Sequence, residues 1–273
     1  MLARINASSH VLASLCVALS VISGSSLAQP SKPSSADLAA KLTNPVADLI
    51  SVPFQYNYDQ GIGVDKKGSA NSLVVQPVIP VKLNNDWNYI VRPVVTFESL
   101  NKVDGFSGNG TGPVLVETFF SPRAASDFIW GVGPILTTPA LTSGGAFGTA
   151  QTGAGVAAVG LVMKAPWTAG LLTYNTWSAG GSATYGTANN FYYQPFVSYV
   201  TKDAWTFTVN TQSTFNWDLR RAENPVNATV SKLVRVGEAP VSLSVGARYY
   251  LSSMPGGATG WGARASVTFL FPR

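Results

Sequence analysis

Histidine and cysteine are almost missing from this 273-residue chain, each occurring once, at His10 and Cys16. Both lie in residues 1–28, a stretch with a single cation, Arg4, an apolar run over 11–22 and the small-residue ending Ser26-Leu27-Ala28. That pattern reads as a secretory signal cleaved before Gln29, which leaves the mature chain without a thiol or an imidazole. Ser-His-Asp and Cys-His catalysis, His- or Cys-ligated zinc and a disulfide framework are excluded on this reading. A lipid anchor on Cys16 is disfavoured by the bulky Leu15 before it, where a lipoprotein peptidase needs a small residue.

Charge is also scarce, at 11% of residues. Removing Arg4 from the 18 Lys and Arg leaves 17 against 13 acids, a net charge of about +4. No basic block exceeds Lys66-Lys67 or Arg220-Arg221, and secretion takes the chain away from nucleic acid, so no nucleic-acid partner is expected. Gly108-Asn109-Gly110-Thr111-Gly112 and Gly153-Ala154-Gly155 lack the Lys-Ser/Thr of a phosphate loop. The acids of the long loops, such as Asp65 and Asp104, are isolated, so neither a metal nor another cofactor is expected.

Helical periodicity is confined to one place. Residues 29–35 form a polar linker, and 35–42 carry a capping Ser, the acid Asp37 in the first turn and Lys41 in the last, stopped by Asn44-Pro45. This helix has three readings: a plug in the mouth of a barrel, an amphipathic segment with Leu38 and Leu42 toward lipid, or a tether. The domain division is a signal at 1–28, a periplasmic linker and helix at 29–48, and a β domain at 49–273.

From Ile50 onward the period is two. In 205–217, Trp205, Phe207, Val209, Thr211, Ser213, Phe215 and Trp217 alternate with six polar residues, and 241–251 and 261–271 repeat the scheme. Twelve such runs are expected, at 50–58, 72–83, 87–99, 113–121, 128–138, 153–164, 167–179, 190–201, 205–217, 226–236, 241–251 and 261–271. Most exceed the five or six residues usual for soluble strands and match the roughly 9 to 11 that a tilted strand needs to cross a bilayer. Tight connections at 84–86, 122–127, 165–166, 202–204 and 237–239 alternate with longer, Gly-richer ones at 61–71, 100–112, 139–152, 180–189, 218–225 and 252–260. Short turns on one side and long loops on the other predict an all-β, transmembrane, antiparallel up-and-down barrel of about twelve strands in the outer membrane. A soluble β-sandwich is the alternative class.

Trp87, Trp130, Trp167 and Trp205 each follow a short turn, at spacings of 43, 37 and 38 residues, and are expected to form an aromatic girdle at one membrane boundary. Pro77, Pro80, Pro93, Pro134 and Pro195 fall inside the runs, where bulges are expected because each removes a ladder donor.

Several motifs carry a family resemblance. Asp37-Leu38-Ala39-Ala40-Lys41-Leu42-Thr43-Asn44-Pro45, continuing to Val52-Pro53-Phe54-Gln55-Tyr56-Asn57-Tyr58, resembles the opening of a Gram-negative outer-membrane β-barrel "transporter" family, often mislabelled neuromedin U. That family is similar to the barrels of phenol meta-pathway degradation. Gln76-Pro77-Val78-Ile79-Pro80, Phe119-Phe120-Ser121-Pro122, Trp130-Gly131-Val132-Gly133-Pro134 and Gln194-Pro195-Phe196-Val197-Ser198-Tyr199 extend the resemblance over nearly the whole mature chain. It implies fold and location, with no substrate or catalytic residues attached. One departure is the ending, where Phe271 is followed by Pro272-Arg273 rather than closing the chain on an aromatic.

Alternation places Asp59, Gln76, Arg92, Glu98, Glu117, Gln194, Gln212, Arg248 and Arg264 on the polar, lumen-facing side. They form either a mixed-charge constriction that orients a solute or a set of ion pairs that fills a narrow barrel. Glu98 and Glu117 could in principle act as an acid/base pair, but barrel hydrolases generally rely on His, so an enzyme is not expected. The sequence thus predicts a channel for passive passage of small solutes, aromatic or hydrophobic ones among them. Its expected partners are membrane lipid and lipopolysaccharide, the outer-membrane insertion machinery and the solute itself. The alternative is a non-conducting barrel with a structural or surface-binding role through its long loops.

Overall fold

The computed structural model describes residues 33–124 and 126–272. The signal segment 1–28, with His10 and Cys16, lies outside the described residues. Strands account for nearly everything else, and they follow from period-two sequences in which large apolar residues face one way and polar ones the other. In β1 (Ile50–Ile62), Phe54, Tyr56 and Tyr58 are exposed on the outside, while Asn57 and Asp59 between and beyond them are buried inside.

Twelve strands follow in order. After β1 come β2 (Gly68–Val75, resuming at Ile79–Lys82), β3 (Trp87–Val103) and β4 (Phe106–Thr111, resuming at Val114–Pro122). Next are β5 (Phe128–Thr138), β6 (Ala150–Lys164), β7 (Trp167–Ser182) and β8 (Asn190–Val200). The last four are β9 (Trp205–Thr211, resuming at Ser213–Asn216), β10 (Arg221–Glu223, resuming at Pro225–Val236), β11 (Ala239–Tyr250) and β12 (Gly260–Phe271). Each pairs antiparallel with its sequence neighbours, and β12 returns to β1 with Ile50 opposite Phe271 and Asn57 opposite Arg264. The sheet is a closed barrel, which leaves no unpaired edge.

Two of the expected long loops are strand instead. β3 runs on to Val103 and the chain returns at Phe106 through Asp104-Gly105, whose φ angles of +49° and +84° suit a two-residue type I′ turn. An Asp-Gly pair between alternating residues is a hairpin signal, so 100–112 is a strand extension. Likewise 61–71 shrinks to a short connection because β2 begins at Gly68.

The expected proline bulges are also corrected. Register shifts occur at Gln60/Ile62, Leu100/Val103, Thr152/Gly153 and between Thr111 and Leu115, none of them at Pro77, Pro80, Pro93, Pro134 or Pro195. Pro93 and Pro195 stay in register beside lumen-facing Arg92 and Gln194, with their rings on the outward face. Pro134 interrupts the ladder to β4 without shifting it, and the Thr118 hydroxyl donates to the Pro134 carbonyl at 2.6 Å. Pro77 falls in the break at 76–78, where the Gln76 and Val78 N–H groups still donate to Pro53 and Ser51 of β1. A missing donor on one side of a strand is absorbed locally, so no extra residue is needed.

The helix α1 spans Ser35–Leu42 as expected, but its cap is Ser34 rather than Ser35. The Ser34 hydroxyl accepts from the Asp37 N–H at 3.1 Å while the Asp37 carboxylate accepts from the Ser34 N–H at 3.2 Å, a capping box closed by Asp. Its apolar face decides among the three readings. Leu38 and Ala39 are buried with Ala47, Leu49, Val200, Ala204, Leu233 and Leu270, so the helix sits in the mouth at the short-turn end. The segment is pinned by the Thr43 hydroxyl donating to Thr168 Oγ1 at 2.8 Å and by Arg123 Nη1 reaching Asp48 at 3.3 Å.

Candidate functional site in the barrel lumen

The lumen has two unlike halves. From β3 to β8 its wall is a hydrophobic core of Ile90, Phe119, Ile135, Ala157, Val159, Leu161, Leu172 and Phe196, into which Val46 projects from the segment after α1. Here β5 and β6 are largely apolar on both faces. On β5, outward Phe128, Trp130 and Val132 alternate with inward Ile129, Gly131 and Gly133. From β9 through β12 to β1 the inward residues are mostly Ser, Thr, Asn, Gln and Arg, with the acids Asp59 of β1 and Glu223 of β10 among them.

The polar half and its seam hold the predicted charges. Arg92 of β3 stands directly opposite Glu117 of β4, Nη1 to Oε2 2.9 Å, with Glu117 buried and Arg92 mostly so. This is an ion contact without the alignment of a hydrogen bond. Arg248 of β11 places Nη1 3.1 Å from Asp59 of β1 although β12 runs between them. It reaches across because Gly262 of β12 lies opposite Arg248. A Cβ there would meet Asp59 Oδ1 at 2.8 Å and the Tyr58 carbonyl at 2.6 Å. The Arg248 guanidinium also lies 5.3 Å from the centre of the Tyr250 ring.

Arg264 is held differently. Its Nε donates to Asn57 Oδ1 at 2.8 Å and its Nη2 to Gln212 Oε1 at 2.6 Å. Among the described residues no carboxylate pairs with it. Gln194 accepts from the Tyr192 hydroxyl at 2.6 Å, and Tyr192 stacks on Tyr174 with ring centres 4.7 Å apart and planes 10° apart.

Glu98 is brought to a different level from Glu117. It lies on the lumen face opposite Ser72, six residues along β3 from Arg92, or about 20 Å of strand. The two carboxylates therefore form no acid/base pair. The inward positions of β5 and β6 are apolar or glycine at nearly every step, which the sequence reading did not assign. Among the residues that matter, Gly262, Asn227 and the Tyr174–Tyr192 stack were not singled out as site residues. Asn227 is fully buried and donates to Asn210 at 2.9 Å. The continuous apolar runs at 128–136 and 156–163 were the available signal for two-sided apolar strands.

Two of the cavities in the lumen adjoin each other. One, of about 270 Å³, lies beneath α1 and is walled by Ala39, Leu42 and the Ser and Thr residues of β8 to β12. The second, of about 240 Å³, is central and reaches Arg248, Arg264, Leu115, Leu172 and Tyr192. Gln76, Arg92 and Gln194 line both and mark the boundary between them.

The aromatic residues take two levels. Trp87, Trp130, Trp167 and Trp205 lie at the short-turn end, with Trp87 against Trp130 at 5.9 Å, Trp167 against Tyr199 at 4.9 Å and the Lys232 ammonium 4.9 Å from the Trp205 ring. Trp177, Trp217 and Trp261 are exposed at the opposite end, a second level that the sequence repeat did not reveal because their spacing is irregular.

No protein-family model and no curated protein sequence matches the chain, so the family named on sequence motifs stays a resemblance. Solved structures do match. An outer-membrane channel from Pseudomonas putida F1 superimposes with a TM-score of 0.65 at 12% identity, over 82% of this chain and 95% of that one. KdgM porin gives 0.48 at 12% identity over 81% and 99%. Outer-membrane phospholipase A from Escherichia coli gives 0.45 at 10% identity over 82% and 98%. The fold is that of the outer-membrane barrels. The expectation that the chain is not an enzyme is corrected to this extent, that the similar barrels include an enzyme.

Proposed function

We propose that the protein is an outer-membrane channel for passive passage of small solutes, aromatic or hydrophobic ones among them, made with a cleaved signal and seated with its short turns toward the periplasm. The observation that carries this reading is a closed barrel with an apolar outside and a lumen of adjoining cavities bounded by buried arginines and amides. The height of the apolar band supports the membrane placement. Trp167 and Trp177 are ten residues apart on β7, about 33 Å of strand, which a tilt of roughly 40° reduces to about 25 Å. The two tryptophan levels then lie where indole rings prefer the interface, with lipid and lipopolysaccharide around them.

Single-channel recording of the folded protein in planar bilayers tests the reading. Discrete conductance steps are expected. Removing residues 29–43 takes α1 out of the mouth and is expected to raise the unit conductance. Reversing Arg248 and Arg264 to Glu is expected to move ion preference toward cations. A folded barrel that is silent, with or without 29–43, would discard the channel and leave the second reading. That reading, a non-conducting barrel acting through its loops, is favoured by α1 in the mouth and by the filled β3 to β8 half.

A further inference from the structure

The central cavity straddles the seam between the two halves of the lumen. One wall carries carbon, from Val94, Leu115 and Leu172 with the Tyr192 ring, beside the Arg92–Glu117 pair; the other presents Gln212, Arg248 and Arg264. The cations of this region are not equally compensated. Arg248 has Asp59 and Arg92 has Glu117, whereas Arg264 has only the amide oxygens of Asn57 and Gln212. Arg264 is 7% exposed, and its Nη1 donates to no protein group among the described residues. A buried guanidinium with neutral acceptors keeps a full positive charge in a medium of low dielectric, and an anion in the adjoining space relieves that cost. The apolar side chains of the opposite wall accept hydrocarbon.

We propose that the central cavity is a binding site for a small monocarboxylate with a short apolar body. The carboxylate sits at Arg264 and the hydrocarbon lies against Val94, Leu115 and Leu172. The inference rests on the channel reading only for the route by which the ligand arrives. A primary ammonium is disfavoured, because Arg92, Arg248 and Arg264 line the cavity against one carboxylate, Glu117.

Calorimetric titration of the full, folded protein in detergent with hexanoate, hexanamide and hexylammonium tests this. Hexanoate is expected to bind at least tenfold more tightly than its neutral twin hexanamide, as a charge-assisted bond implies, and hexylammonium not to bind. Arg264→Gln should erase the difference between hexanoate and hexanamide, while Arg264→Lys retains part of it. Val94→Phe, which narrows the carbon wall, should weaken both ligands together. Heat-modifiable mobility on gels verifies that each variant is folded. Equal binding of hexanoate and hexanamide by the unmodified protein would overturn the proposal, as would a preference for hexanoate surviving in folded Arg264→Gln. If Arg264→Gln does not fold, the ratio in the unmodified protein and the response to Val94→Phe decide. A barrel that prefers hexanoate but carries no current sinks the channel and keeps the site; one that conducts without any preference sinks the site and keeps the channel.

Discussion

The β3 to β8 wall and the β9 to β1 wall enclose the same lumen by different physics. The first fills its side with Ile90, Phe119, Leu161 and Leu172, each almost wholly buried, and resembles the core of a soluble protein. Removing such side chains from water stabilises by about 1.5 to 3 kcal/mol apiece, without demanding a particular orientation. The second relies on directed bonds, Arg248 to Asp59 over Gly262 and Arg264 to Asn57 and Gln212. There the net stabilisation per contact is small, while the cost of a lost partner is large. One half therefore supplies bulk stability and the other supplies geometry.

Variants can break or sharpen that contrast. The largest effect is expected from Phe119→Ala, a loss of about 3 to 5 kcal/mol from cavity formation in the apolar half. It should lower the temperature at which the folded gel band converts to the unfolded one, and an unchanged transition would deny that this half is a packed core. Arg248→Met follows, at about 3 kcal/mol, because Asp59 is left buried and unpaired. The double variant with Asp59→Asn should regain most of the loss in the same gel assay, and failure to regain it would mean that Arg248 acts through its stem rather than its charge. Gly262→Val is expected to cost about 1 to 3 kcal/mol by overpacking and to resemble Arg248→Met in ion selectivity, since it separates the same pair. Smallest is Trp177→Phe at the long-loop level, under about 1 kcal/mol, because an exposed aromatic is replaced by another. A loss as large as that of Phe119→Ala would overturn the view that stability resides in the lumen core.

The twelve strands and their order were legible because period two and turn residues are local properties. The lumen charges were legible for the same reason: alternation puts Arg92, Glu117, Arg248 and Arg264 inside whatever their partners. Partners are not local. That Arg248 skips a strand to reach Asp59 depends on Gly262, whose role is the absence of a side chain, and nothing in one sequence distinguishes that glycine from one in a loop. The apolar half misled for the opposite reason. Strands such as 128–138 carry carbon on both faces, so alternation gives no inside or outside there, and only closure of the sheet decides.

The seat of α1 has a consequence in time. Leu38 and Ala39 pack against Val200 at the end of β8, Leu233 of β10 and Leu270 of β12, strands that come together only when the β8 to β12 wall has paired. Before that moment the helix has nothing to dock on. An eight-residue helix is too short to persist alone in water. Its formation therefore follows the pairing of β8 through β12, and protection of residues 35–42 from protease marks a late step of assembly rather than its beginning.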